Sequence, residues 1–302
     1  MEVITVNEFY KSLFGKKVYK ISLEGGCTCP TRDGTKGYGG CIFCSQAGSG
    51  DFAAKDISRA KEIVSKKLKL YKDEIAYIAY FQNFTNTYGD IKELEHNWRT
   101  ALADKDVVGI ALGTRPDCIS QECLNVLGDI GKKYFVQIEL GLQTVNPVTA
   151  RYIRRCYDNS LYLSAVKRIH DVNPKIHVVT HVMFGLPTGE AGKIESEEDM
   201  MNTVSFAVKG GTDGIKITNL YILKNTDLEK EYTAGKFPAL KMEEYVGLLK
   251  KAVSIIPENI IIHRLTGDPP KSLIIEPEWC TNKKLMLNEV NKLLKKGSYQ
   301  QK

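Results

Sequence analysis

Between about residues 17 and 264, short β-branched or apolar runs alternate with longer stretches whose apolar positions recur at helical spacing. The runs Val18–Leu23, Ile75–Gln82, Val107–Leu112, Phe135–Leu142, Ile176–Phe184, Gly214–Leu220 and Asn259–His263 predict strands. The stretches between them predict helices near 56–71, 91–103, 120–131, 147–172, 196–209 and 241–254. Ser196, followed by acids, reads as the cap of the fifth helix. Regular β–α alternation implies a mostly parallel sheet with crossover helices. Six strand–helix units and a terminal strand suit a partial or complete barrel. We take the fold as α/β: a partial (β/α)6-type TIM-like barrel with a C-terminal strand and helix extension. The chain then divides into an N-terminal segment (1–16), the barrel (17–264) and an extension (265–302). In the tail helix, 282–296, Leu285, Met286, Val290, Leu293 and Leu294 fall on one stripe, leaving the lysines outward.

Ligands of such a barrel bind at the carboxyl ends of its strands. Polar or glycine-rich segments follow five successive strands: a cysteine loop, QNFTNTYGD, GTRPD, GLQT and GLPTGE. Composition adds bounds. The 302 residues are 43% hydrophobic and 26% charged, which excludes a fibre or a largely disordered chain. No apolar run approaches the ~18–20 residues that span a bilayer, and the N-terminus lacks a basic start followed by an apolar stretch. A cytoplasmic protein without a membrane partner is expected. Of the net charge of +6, +5 lies in residues 281–302, where six lysines accompany one acid, Glu289. That tail attracts an anionic partner without making the whole chain a nucleic-acid binder.

Four of the eight cysteines, Cys27, Cys29, Cys41 and Cys44, lie in GGCTCPTRDGTKGYGGCIFCSQ. In a reducing cytosol such a cluster reads as metal-binding or catalytic, not as disulfides. Cys41 and Cys44 form a C-x-x-C pair, and eleven residues separate Cys29 from Cys41. Four thiolates would close a zinc site; three would hold a four-iron cluster with one iron open to an outside ligand. Spacing alone does not choose. Nor does it separate Cys27 from Cys29, since extended backbone would turn both to one side.

The wider pattern is more specific. TCPTRDGTKGYGGCIFC, YFQNFTNTYGD, GTRPDC, ELGLQT, HVMFGLPTGE and HRLTGDPP resemble, in order, the characteristic blocks of the YhcC/YtqA-like radical S-adenosylmethionine (SAM) proteins. That family is related to the elongator catalytic subunit and to oxygen-independent coproporphyrinogen oxidase. The resemblance covers roughly residues 15–285. It implies Cys29, Cys41 and Cys44 as ligands of a [4Fe-4S] cluster whose open iron binds SAM. It makes Gln143 and Arg155 SAM contacts, Arg155 as a carboxylate clamp. His181 stands where the oxidase has a ribose-binding Asp. Gln82 and Asn83 begin the stretch that approaches the SAM amino group. Glu139 points inward if Leu140 and Leu142 point outward, and an acid there needs a partner or a task. Thr114, Arg115 and Asp117 would line the substrate side. Arg264 and Asp268 would close the site, holding substrate or pairing with each other. Cys118, Cys123, Cys156 and Cys280 read as small buried hydrophobes, with Cys118 the candidate for a thiyl role.

The expected activity is a radical SAM enzyme that forms a 5′-deoxyadenosyl radical and abstracts hydrogen from an unreactive carbon. The resemblance suggests a wobble uridine of tRNA as substrate and an electron donor such as flavodoxin or ferredoxin. The elongator relative continues into an acetyltransferase domain, whereas only about 40 residues follow the last predicted strand here, so acetyl transfer is not expected. A radical enzyme acting on a small metabolite, or a zinc-stapled RNA-binding protein without catalysis, are the alternatives.

Overall fold

The structure, a computed structural model, describes residues 3–48, 50, 52–68 and 75–294. Its strands are β1 (Lys17–Leu23), β2 (Ile75–Phe81), β3 (Val107–Thr114), β4 (Phe135–Gln143), β5 (His177–Phe184), β6 (Gly214–Asn219), β7 (Ile222–Leu223), β8 (Ile261–Arg264) and β9 (Ile274–Glu276). The first six and β8 form one seven-stranded parallel sheet in chain order, while β7 and β9 pair antiparallel. The helices are α1 (Val6–Phe14), α2 (Ile57–Leu68), α3 (Ile91–Leu102), α4 (Gln121–Ile130), α5 (Pro147–Tyr152), α6 (Asn159–Val172), α7 (Glu197–Lys209), α8 (Asp227–Thr233), α9 (Met242–Ile255) and α10 (Lys283–Leu294). The sheet curls into a half-barrel. Its edge strands β1 and β8 do not pair among the described residues, which leaves a seam.

Strand alternation sorts the side chains into two layers. Val136, Ile138, Leu140 and Leu142 of β4 join the large core beneath the outer helices. Gln137 and Glu139 alternate with them and make their hydrogen bonds across the barrel interior. Helix starts follow their caps: the Asp90 carboxylate accepts from the N–H groups of Lys92 and Glu93, and Ser196 and Asp199 form a capping box.

Two departures from the predicted elements have local causes. The N-terminal segment holds a helix not among the predicted elements, α1, which packs against both edge strands, β1 and β8. Its Tyr10 is buried with Val18, Ala76 and Ile261, which closes the amino end of the interior. The single helix predicted over 147–172 is two. Arg154 and Cys156 take left-handed φ of 59° and 60° between α5 and α6, where Arg155 turns inward. The tail helix is described only to Leu294, so Lys295 and Lys296 lie outside the described residues.

At the floor of the barrel, His177 and His263 share a 2.8 Å Nε2–Nε2 hydrogen bond. One imidazole donates and the other accepts, so both are neutral. Burial lowers His177 to about 4 and His263 well below the usual histidine range. The unfolded chain therefore takes up protons first. The histidine contribution is complete above about pH 6.5 and declines as pH falls towards the folded values. We predict that between pH 7 and 4.5 the wild type loses more unfolding free energy than His177→Gln, by roughly 2–3 kcal/mol. Denaturant titrations at the two pH values check this. Parallel losses in the two proteins would contradict it.

Candidate active site

Glu139, buried on β4, anchors the middle of the interior. It accepts from Lys20 Nζ of β1 at 2.6 Å, Lys216 Nζ of β6 at 3.0 Å, the Tyr80 hydroxyl of β2 at 2.6 Å and Gln137 Nε2 at 2.9 Å. Burial opposes its ionisation, but the two ammonium groups outweigh that and hold its carboxyl well below the usual glutamate range. Both ammonium groups also face the Tyr80 ring, at 4.9 and 5.7 Å from its centroid.

The cysteine loop closes over the carboxyl end of the sheet. Gly39 and Gly40 take consecutive left-handed φ of 77° and 75°, and Gly40 N–H donates to Thr31 O at 2.9 Å. Lys36 pairs with the Asp117 carboxylate, which also receives a two-pronged bond from Arg115 at 3.0 Å. Arg32 donates to Ser45 O at 2.6 Å and lies 5.3 Å from the Phe84 ring. Within the loop, the Cys41 thiol donates to Cys44 and Arg32 lies close by, so Cys44 is lowered.

Cys29, Cys41 and Cys44 face one cavity of about 170 Å³ with Gln82, Glu139, Gln143, Arg155 and His181. Cys27 does not line it: its thiol donates to Gly25 O at 3.4 Å, and burial raises it to about 11. Among the described residues, no three His, Cys, Asp or Glu side chains meet closely enough to hold a single metal ion. Three thiols around a cavity lined by Met183, Tyr157, His181 and Gln143 suit a cluster beside a ligand with a thioether-like sulfur, a ribose and an amino-acid end.

Individual residues take distinct places. Gln143 adopts a left-handed φ of 58° at a register shift between β4 and β5. Its folded side chain lies where a Cβ at position 141 would sit, 2.3 Å from Nε2, which explains Gly141. His181 bonds Thr218 Oγ1 at 2.8 Å, and burial lowers it to about 3, so it meets a hydroxyl as a neutral imidazole. Gln82 lines the cavity, but Asn83 does not: its Oδ1 accepts from Gly25 N–H at 3.2 Å and braces the loop instead.

Arg155 also departs from the expected clamp. All five of its N–H groups already donate, to Tyr157 O twice, Leu142 O, Thr144 O and Asn159 Oδ1, at 2.5 to 3.2 Å. It fastens the end of β4 and has no donor left for a carboxylate. Arg264 and Asp268 do not pair. Asp268 bonds Lys283 at 2.8 Å. Cys118 is buried against Asp117, its thiol pushed up to about 12, and does not line the cavity. Cys156, expected to be buried, is exposed. The sequence reading missed Lys20, Tyr80, Lys216, Arg32 and Tyr157. Lys20 and Lys216 each lie among apolar neighbours in a strand, and an acid inside a barrel is the signal that points to such buried cations as its partners.

A second cavity, of about 720 Å³, opens at the seam beside the first and shares Tyr80, Gln82, Glu139 and Lys216 with it.

A model of the radical SAM superfamily matches residues 34–207, and one of the radical SAM C-terminal domain matches 212–296. The chain belongs to the radical SAM superfamily. It is 40% identical to the uncharacterized protein YtqA of Bacillus subtilis, over 99% of this chain and 91% of that one. It is 31% identical to protein YhcC of Escherichia coli, over 95% and 90%. A tRNA uridine(34) acetyltransferase of Methanocaldococcus infernus is 24% identical over 56% of this chain and 30% of its own length. Among solved structures, Elp3 of the same archaeon, with its N-terminus deleted, has a TM-score of 0.63 at 18% identity, covering 91% of this chain and 63% of that one. That likeness shows the fold: the half-barrel of radical SAM enzymes. No helix among the described residues is long and apolar enough to cross a membrane.

The placement of the thiols gives a sharp expectation. Anaerobically reconstituted Cys29→Ala, Cys41→Ala and Cys44→Ala should each lose most bound iron, while Cys27→Ala should keep about four irons per chain. Iron and sulfide analysis checks this. Loss of the cluster in Cys27→Ala with retention in Cys29→Ala would reverse the assignment.

Proposed function

We propose that this radical SAM enzyme remodels the side chain of a wobble uridine in tRNA by abstracting hydrogen from an unreactive carbon. The carrying observation is that the thiol-lined cavity adjoins a larger one across a shared wall of Tyr80, Gln82, Glu139 and Lys216. The relative named a tRNA uridine(34) acetyltransferase supports uridine as the substrate class. The target is an existing uridine substituent of the aminomethyl type.

Cys29, Cys41 and Cys44 would hold the [4Fe-4S] cluster, with SAM on its open side. When bound and reduced by a donor such as flavodoxin or ferredoxin, the pair supplies methionine and a 5′-deoxyadenosyl radical. The chain's own residues prepare that chemistry. His181 and Gln143 face the cofactor cavity as neutral hydrogen-bonding groups for hydroxyl and amino functions. Arg155 and Tyr157 fix the end of β4 on which Gln143 sits. The Lys36–Asp117 ion pair holds the cysteine loop against the strand ends that line the site.

Lys283 pairs with Asp268, and Lys292 with Glu289 at 2.6 Å, while Met286, Val290 and Leu294 are buried. Among the described lysines of the tail, Lys284 makes no ion pair and is placed for a phosphate contact.

Anaerobic reconstitution followed by incubation with undermodified tRNA, SAM and reductant tests the proposal. We expect 5′-deoxyadenosine and methionine to form while one wobble-uridine nucleoside is replaced by another of altered mass. SAM cleavage with an unchanged nucleoside profile, including tRNA from a strain lacking the enzyme, would contradict the uridine substrate.

A further inference from the structure

The seam cavity carries an imbalance of charge. Its wall includes five cations, Lys20, Lys216, Arg264, Lys271 and Lys283, against two carboxylates, Glu139 and Asp268. Glu139 serves Lys20 and Lys216, and Asp268 serves Lys283. Among the described residues, Arg264 and Lys271 are left without an acid, and Arg264 Nε is buried with no acceptor.

An uncompensated guanidinium is an unfavourable thing to hold in a partly buried wall. It becomes favourable when a ligand brings the missing charge. Arg264 pairs in register with Lys216 across β6 and β8, so a second cation stands beside it. A planar guanidinium presents paired donors to carboxylate or phosphate oxygens, and its weak hydration lowers the cost of contact. The volume of about 720 Å³ lies within the usual range for small-molecule sites. Gln82 and Tyr80, on the wall shared with the cofactor cavity, mark the inner end where chemistry would occur.

We propose that the seam cavity is an anion-binding substrate site, in which Arg264 and Lys271 hold a phosphate or carboxylate while the reacting group reaches Tyr80 and Gln82. The proposal rests on the radical SAM reading of the adjoining cavity and deepens it by naming the charge of the substrate. Phosphate would come from the sugar–phosphate part of a nucleotide; carboxylate would come from a substituent on the substrate.

Inorganic phosphate and acetate, each titrated at constant ionic strength against chloride, separate the sources. The probe is the thermal unfolding of the reconstituted holoenzyme. We expect at least one anion to raise Tm saturably, as a ligand of the folded state does. Arg264→Gln/Lys271→Gln should weaken that binding by about tenfold or more, the scale of a hydrogen bond to a charged group. Lys271→Gln, on the exposed rim, should weaken it to a smaller degree without disturbing the fold. Lys175→Gln, outside the cavity, should leave it unchanged. Preference for phosphate assigns the sugar–phosphate source, and preference for acetate the substituent. No saturable shift with either anion, or wild-type shifts in both cavity variants, overturns the proposal. Saturable anion binding with unmodified tRNA would defeat the uridine reading and leave the anion site standing.

Discussion

Burying the carboxylate of Glu139 in the middle of a barrel is costly, and much of the interior is arranged around that cost. Lys20 and Lys216 reach it from β1 and β6, three strands and two strands away in the sheet order. Their ion pairs tie distant parts of the sheet together across the interior. Tyr80 and Gln137 complete the coordination of the carboxylate, and Tyr10 donates to Gln137 from the helix that closes the floor. The result is a graded interior: aromatic rings and neutral histidines at the amino end, a charged layer at the centre and thiols at the mouth. The charged layer is also the wall between the two cavities. A group that sets the shape of the sheet therefore also sets the electrostatic conditions under which ligands meet.

The order of the seven main strands and the placement of ligand loops at their carboxyl ends were legible because both follow from local patterns. Apolar runs of period two or full burial mark strands, and glycine-rich polar turns mark their exits. The inward turn of Glu139 was legible for the same reason, as Leu140 and Leu142 face the helices. Contacts made across the barrel were not. Nothing near Lys20 or Lys216 in the chain announces a shared carboxylate 119 and 77 residues away. Arg155 shows the converse limit: the family resemblance implied a ligand clamp, whereas its buried guanidinium is saturated by three backbone carbonyls and the Asn159 side chain of its own chain. The same inward turn breaks the helix predicted over 147–172, because the residues flanking it must adopt left-handed backbone.

Strain and satisfaction are divided between the two halves of the site. Gln143 holds a left-handed conformation, and Gly25 is required because a Cβ there would meet Asn86 Oδ1 at 2.0 Å. Such demands gather at the mouth, where the cysteine loop must approach the strand ends closely. Below it, hydrogen bonds at Glu139 are fully used. The mouth is thus held by close backbone approach and the layer beneath it by ion pairs, and the open seam brings a second cavity to the same wall.

The central claim is that the charge balance at Glu139 organises this interior. A double-mutant cycle on unfolding free energy, using Glu139→Gln, Lys216→Met and the double variant, tests it most directly. Removing Glu139 alone leaves both ammonium groups uncompensated, whereas removing Lys216 with it leaves only Lys20, so part of the loss is relieved in the double variant. The account predicts a coupling of about 2 kcal/mol or more between the two positions. Additive losses within ~0.5 kcal/mol would show that the acid and the lysine stabilise the barrel independently, and would contradict it.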